Sequence, residues 1–213
     1  EVKKIPRLRF PEFYKNWDSY SLPNLIKKSN QGVNTTTEKV KYSEDGITVI
    51  RSNNISNNKI DFQNVKYVDE QTFNRLNDSC KPGYGDVLFC NIGSDLGSAA
   101  EYIYQNQILI NWNVFRIQID CNKIVGNLLT QYLNKIKPTI RKYATESTMP
   151  FISSKAFKFI KIDIPSLPEQ QKIADFLSLI DKKIKISEKK KELLEDYKKG
   201  IMQKIFSQEI RFK

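Results

Sequence analysis

Arg51, Ser52, Asn53 and Asn54 form an unbroken run of hydrogen-bonding side chains within ITVIRSNNI, residues 47–55. The β-branched start of that segment reads as a strand that ends in a polar turn. Ser94, Asp95 and Ser98 lie in a second polar stretch, where Gly93 and Gly97 would let the backbone approach another molecule closely. A third group, Arg141, Lys142, Tyr143, Ser147 and Thr148, sits inside a basic block. Side chains of these types suit hydrogen bonds to base edges, while lysines and backbone amides suit phosphates. Each group could equally be an ordinary surface turn.

Catalytic chemistry finds little support. The chain has no histidine, which removes the commonest general base and metal ligand. GYGDVL, residues 83–88, is not a GxGxxG loop because position 88 is leucine, and there is no P-loop. No Asn-Pro-Pro-aromatic or Asp-Pro-Pro-aromatic motif of an amino-methyltransferase is present. Asp86 with Glu101 is the nearest acidic pair to a nuclease core, but no suitable lysine follows. Asp86 is expected to cap a turn. Cys80, Cys90 and Cys121 are odd in number and lack CxxC spacing, so neither a disulfide framework nor a zinc site is expected.

The net charge of +11 points towards a polyanion, most simply a nucleic acid. The charge is uneven. Residues 130–161 carry seven Lys or Arg against one acid, Glu146, interleaved with Tyr132, Tyr143, Phe151, Phe157 and Phe159. No apolar run approaches the ~18 residues of a membrane span, and no secretory leader opens the chain. A cytoplasmic location without membrane contact is expected.

The elements that must hold these groups read as α+β. Residues 5–17 should be extended rather than helical, given Pro6 and Pro11. A short helix is expected over 21–29, strands over 47–55 and 59–68, and a helix over 69–77. Residues 81–103 read as turn, buried strand, glycine turn and strand. A single strand is expected over 108–119, then a helix over 122–144 broken near Pro138, then a short helix and a strand before Pro165.

From Leu167 onwards the pattern changes. Pro168 suits the first turn of a helix, and Glu169 puts negative charge at the positive end of its dipole. Ile173, Leu177, Ile180, Ile184, Leu194 and Ile201 fall on one heptad seam, interrupted by Ser187, Lys191 and Lys198. A helix over 169–206 would span roughly 55 Å. It is expected to pack on another helix, although a helix folded back on its own domain is the simpler alternative. The division expected is residues 1–166 as a recognition domain and 167–213 as a helical arm.

These segments resemble the DNA specificity subunit of type I restriction-modification systems. Leu167 and Pro168 followed by E-Q-x-x-I-A-x-x-L-x-x-I-D-x-x-I, from Glu169 to Ile184, resemble the opening of that family's spacer helix. YKKGIMQKIF (197–206) is similar to the end of that helix, and PRLRFPEFYKNWDSYSL (6–22) to the family's start. VIRSNNISNNKIDF, from Val49, resembles the segment after the first strand. PGYGDVLFCNIGSDLGSAA (82–100) resembles G-D-I-L-x-x-x-x-G-S-x-G-x-x-A, with a slightly longer step from Gly93 to Gly97. ESTMPFIS (146–153) follows G-S-T-x-P-F-I-S with Glu146 in place of glycine.

The resemblance implies a non-catalytic chain that reads one half of a bipartite double-stranded DNA site. It implies docking of methyltransferase subunits through the helix, with the restriction subunit joining through them. S-adenosylmethionine would belong to the methyltransferase, with no cofactor bound by this chain. The tail SQEIRFK resembles the head IPRLRFPEF as if a second module were about to begin. The chain therefore reads as a half-subunit, natural or excised from a longer protein. Two copies are expected to pair through the seam, and such a two-fold dimer should favour a palindromic bipartite site. The competing reading is a coiled-coil interaction scaffold with an incidental basic surface.

Overall fold

An apolar residue at every position of VLFC, residues 87–90, requires a strand covered on both faces, and this strand lies at the centre of the fold. The computed structural model describes residues 6–211. Ile5 of the expected extended head, and Phe212 and Lys213 of the tail motif, lie outside the described residues.

In chain order the strands are β1 (Asp18–Ser21), β2 (Ile26–Gln31), β3 (Ile47–Ile50), β4 (Ile55–Ser56), β5 (Lys59–Ile60) and β6 (Lys66–Val68). They continue with β7 (Val87–Cys90), β8 (Ala99–Glu101), β9 (Ile108–Ile110), β10 (Val114–Ile119) and β11 (Lys161–Ile164). The helices are α1 (Glu70–Arg75), α2 (Gly126–Lys135), α3 (Lys137–Arg141) and α4 (Leu167–Phe206). A four-stranded sheet has the order β2-β10-β7-β8, and a three-stranded sheet the order β6-β3-β9. β1 pairs with β11, and β4 with β5. The class is α+β, as expected.

The central sheet separates two cores. Val87, Phe89, Ala99, Phe115 and Ile117 face one core, shared with Leu129 and Leu133 of α2 and Ile140 of α3. Leu88, Cys90, Ala100 and Val114 face the other, shared with Val49 and Ile50 of β3 and Ile108–Ile110 of β9. Alternation along each strand thus supplies both cores from one sheet.

Several expected boundaries move. Residues 21–29 are not a helix. Leu22–Leu25 form a 3-10 turn with Pro23 in its first positions, and Ile26 is already extended. Leu22 and Leu25 are buried as a helix would have buried them, but the following residues pair with β10. The expected strand over 108–119 is two strands, because the chain turns at Asn111–Asn113 and changes sheet; Val114 N–H donates to Asn111 O at 2.9 Å. Gly32 makes this possible: a Cβ there would lie 2.2 Å from the Asn111 carbonyl oxygen.

The helix expected over 122–144 begins at Gly126 and breaks at Ile136, two residues before Pro138. Pro138 cannot donate to the carbonyl four residues back, and its ring crowds that position. α1 forms where expected, with the Asp69 carboxylate accepting from Thr72 N–H at 2.6 Å. Residues 6–17 contain no helix, but they turn rather than run straight, with Phe13 N–H donating to Phe10 O at 3.1 Å.

Two compact units divide the chain, the first running through Gln171 and the second from Lys172. The first turn of α4 belongs to the first unit because Glu169 and Gln170 are buried in it. Gln170 receives Val125 N–H at 3.0 Å and donates to the carbonyls of Lys123 and Pro165, each at 2.9 Å. The second unit holds the remainder of α4 and the residues after it; on the helix Ile180, Ile184 and Leu194 are exposed and Leu177 and Ile201 half-buried. No helix among the described residues is long and apolar enough to cross a membrane.

Candidate nucleic-acid interface

Strand register brings the first two polar groups to one end of the sheets. β3 and β9 run parallel with Ile50 beside Ile110, so both end together. β10 begins at Val114 opposite Cys90, the last residue of β7. Residues 51–54, 91–98 and 111–113 therefore leave the strands at the same end.

In the first group the polar side chains mostly build the turn. Asn54 Oδ1 accepts from Arg51 N–H at 3.1 Å, and Asn54 Nδ2 donates to Gln63 O at 3.3 Å. Ser52 Oγ accepts from Asn113 Nδ2 at 2.8 Å. Ser52 and Asn54 are buried and committed inside the protein, which leaves Asn53 exposed and Arg51 half-buried. One terminal nitrogen of Arg51 donates to Asn64 O at 3.0 Å.

The second group is clamped by α3. Lys137 Nζ donates to Ser98 Oγ at 2.7 Å, and the Arg141 guanidinium donates to the carbonyls of Leu96 and Ser94. Ser98 is buried, Asp95 half-buried and Ser94 exposed. Gly97 sits at φ +91°, a left-handed conformation, with Lys137 packed against it. Ser98 thus shapes the loop, while Ser94 faces solvent.

The third group joins the second. Gly93 N–H donates to Pro150 O, and Ile152 N–H donates to Asn91 O, both at 2.9 Å. Arg141, Lys142, Tyr143, Ser147 and Thr148 are exposed. Ser147 Oγ donates to Met149 O at 2.8 Å, tightening the turn that presents Thr148. Tyr143 stacks on Phe159 with ring centres 5.7 Å apart, and Lys158 Nζ lies over the Phe159 ring.

Three residues that the sequence patterns do not single out are central here. Asn113 ties the first group to the 111–113 turn, and Asn91 lies between that turn and the third group; Asn91 N–H donates to Asn113 O at 3.2 Å. Lys137 holds the glycine loop. The polar N-W-N interruption of ILINWNVF marks a turn and could have pointed to Asn113.

The other acids are placed elsewhere. Asp86 caps its turn as expected, accepting from Gly83 N–H at 2.7 Å, and also accepts from Arg116 Nε at 2.6 Å. Glu101 pairs in register with Val87, at the opposite end of the sheet from Cys90. It lines a cavity of about 470 Å³ with Lys27, Tyr84 and Cys121, and burial pushes its carboxyl pKa up. Among the described residues, no group of three or more His, Cys, Asp or Glu could hold a metal ion.

The model of the type I restriction modification DNA specificity domain matches residues 14–196. The chain belongs to this specificity domain family. The specificity domain is 29% identical over 204 residues to a putative type I restriction enzyme specificity subunit, MjaX, of Methanocaldococcus jannaschii, covering 92% of this chain and 47% of that protein. It is 40% identical over 87 residues to the MjaVIII specificity subunit of the same organism, covering 40% of this chain and 20% of that one. Its fold is similar to that of the type I restriction-modification S subunit from M. genitalium, with a TM-score of 0.64 at 15% identity over 95% of this chain and 48% of that one. The specificity domain thus spans about half the length of MjaX and of the M. genitalium subunit.

Proposed function

We propose that the chain is a sequence-specific DNA recognition module that reads one half of a bipartite target and performs no chemistry itself. The observation that carries this reading is the meeting of three polar groups, distant in sequence, around one end of the sheets, the third group carrying the cations of Arg141 and Lys142 and Lys137 clamping the second. The relatives are named as specificity subunits of type I restriction enzymes, which agrees with it. Asn53, Ser94, Arg141, Lys142, Tyr143, Ser147 and Thr148 are the exposed members of the groups and would meet DNA first, with Arg51 half-buried behind them.

In this reading the helix sets the distance between two half-sites. The seam of Ile173, Leu177, Ile180, Ile184, Leu194 and Ile201 pairs two copies. Phe176, Leu179, Ile186, Leu193 and Tyr197, all exposed, form a second apolar stripe beside the seam, suited to helices of methyltransferase subunits. Those subunits would bring S-adenosylmethionine and link the restriction subunit, in the cytoplasm.

Selection from a pool of randomised duplexes, at low and at higher salt, tests the recognition role. An enriched motif that survives higher salt supports it. Steeply salt-dependent binding with no enriched motif is non-specific electrostatics and contradicts it.

A further inference from the structure

Asn91 is fully buried, and neither its Oδ1 nor its Nδ2 meets a hydrogen-bond partner in the protein. Its backbone N–H donates to Asn113 and its carbonyl accepts from Ile152, whereas its side-chain amide adds no hydrogen bond to the fold. A buried amide left unpaired is destabilising, and an apolar side chain of the same shape would be tolerated better. Arg51 Nε, another buried polar atom without a partner, lies at the same end of the sheets. Arg51 precedes Ser52 in the chain and Asn91 follows Cys90, whose Sγ donates to the Ser52 carbonyl at 3.5 Å.

We infer that Asn91 is a specificity-determining residue of the interface, whose amide reads a base edge when residues 145–152 shift on DNA binding. The inference rests on the DNA-recognition reading above. Asn91 is the first residue after β7, and the 145–152 segment is fastened across it through Gly93 to Pro150 and Ile152 to Asn91. Thr148 and Met149, at the tip of that segment, are exposed, so incoming DNA would meet them before Asn91. One donor and one acceptor on a single planar amide match the N7 acceptor and N6 amino donor that adenine shows in the major groove.

The test is Asn91→Leu in the complex with its methyltransferase subunits, followed by selection from randomised duplexes and by thermal unfolding. The expected result is an unchanged or higher Tm with about tenfold or greater loss of preference at one target position. The same motif and preference as wild type in a folded Asn91→Leu protein would overturn the inference while leaving the recognition role intact. If Asn91→Leu fails to fold, Asn91→Ala takes its place under the same two outcomes. No enriched motif from the wild-type complex would overturn the recognition role and the inference together.

Discussion

The Arg9 guanidinium grips the Glu169 carboxylate through two nitrogens, each at 2.6 Å, across 160 positions of sequence. Glu169 is almost wholly buried, and Trp17 Nε1 donates to the same carboxylate at 3.3 Å. A bidentate pair of this kind is geometrically specific, and it fastens the irregular N-terminal segment to the first turn of α4.

Breaking such a pair from one side leaves a charge without its partner. Arg9→Met or Glu169→Leu alone should lower the urea midpoint clearly. The double variant should recover a large part of the loss. A double variant no better than the worse single one would show that the pairing itself is not what matters; chemical denaturation followed by circular dichroism decides it.

Glu101 gives a pH prediction. Burial raises its pKa, so above the unfolded-state value of ~4.3 the native state holds a proton the unfolded chain has released. Its contribution is complete below that value and is lost as pH rises through the folded-state value. Glu101→Gln should therefore raise Tm at pH 7 relative to wild type and change little at pH 4. An equal shift at both pH values would contradict the burial argument.

Gly97→Ala should cost stability at the interface. The backbone is left-handed there, and the added Cβ would lie 2.9 Å from Lys137 Cγ. The conformational part alone is about 1–2 kcal/mol. Because the loop carries Ser94, DNA binding should weaken as well. Unfolding midpoints and duplex binding by fluorescence anisotropy measure the two effects separately.

Much of this was legible from residue order. VLFC reads as a buried strand, residues 69–77 as a short helix and Pro168 as the start of a long helix, because each signal is local. Residues 22–31 were not legible. Leu22 and Leu25 have helical spacing, but Ile26–Gln31 are held extended by pairing with β10, some ninety residues away. The candidate site shows the same division. The three polar groups stand out singly, whereas their meeting depends on Ile50 lying beside Ile110 and Val114 opposite Cys90. Asn91 looks like any polar strand end, and only its burial without a partner sets it apart.

The helical arm makes its own prediction. Ile180 and Ile184 are exposed on the chain alone, and burying such side chains in a dimer is worth about 1.5–3 kcal/mol each. Ile180→Lys with Ile184→Lys should weaken self-association at least tenfold. Sedimentation equilibrium reads this directly, and a wild-type chain that stays monomeric at tens of micromolar would remove the dimer.

The most direct test of the recognition role is methylation mapping, by long-read sequencing, of DNA modified by this chain with its cognate methyltransferase subunit. Methylation should be confined to one bipartite motif, and that motif should be palindromic if two copies pair. An assembled complex that methylates no defined motif would contradict the recognition role.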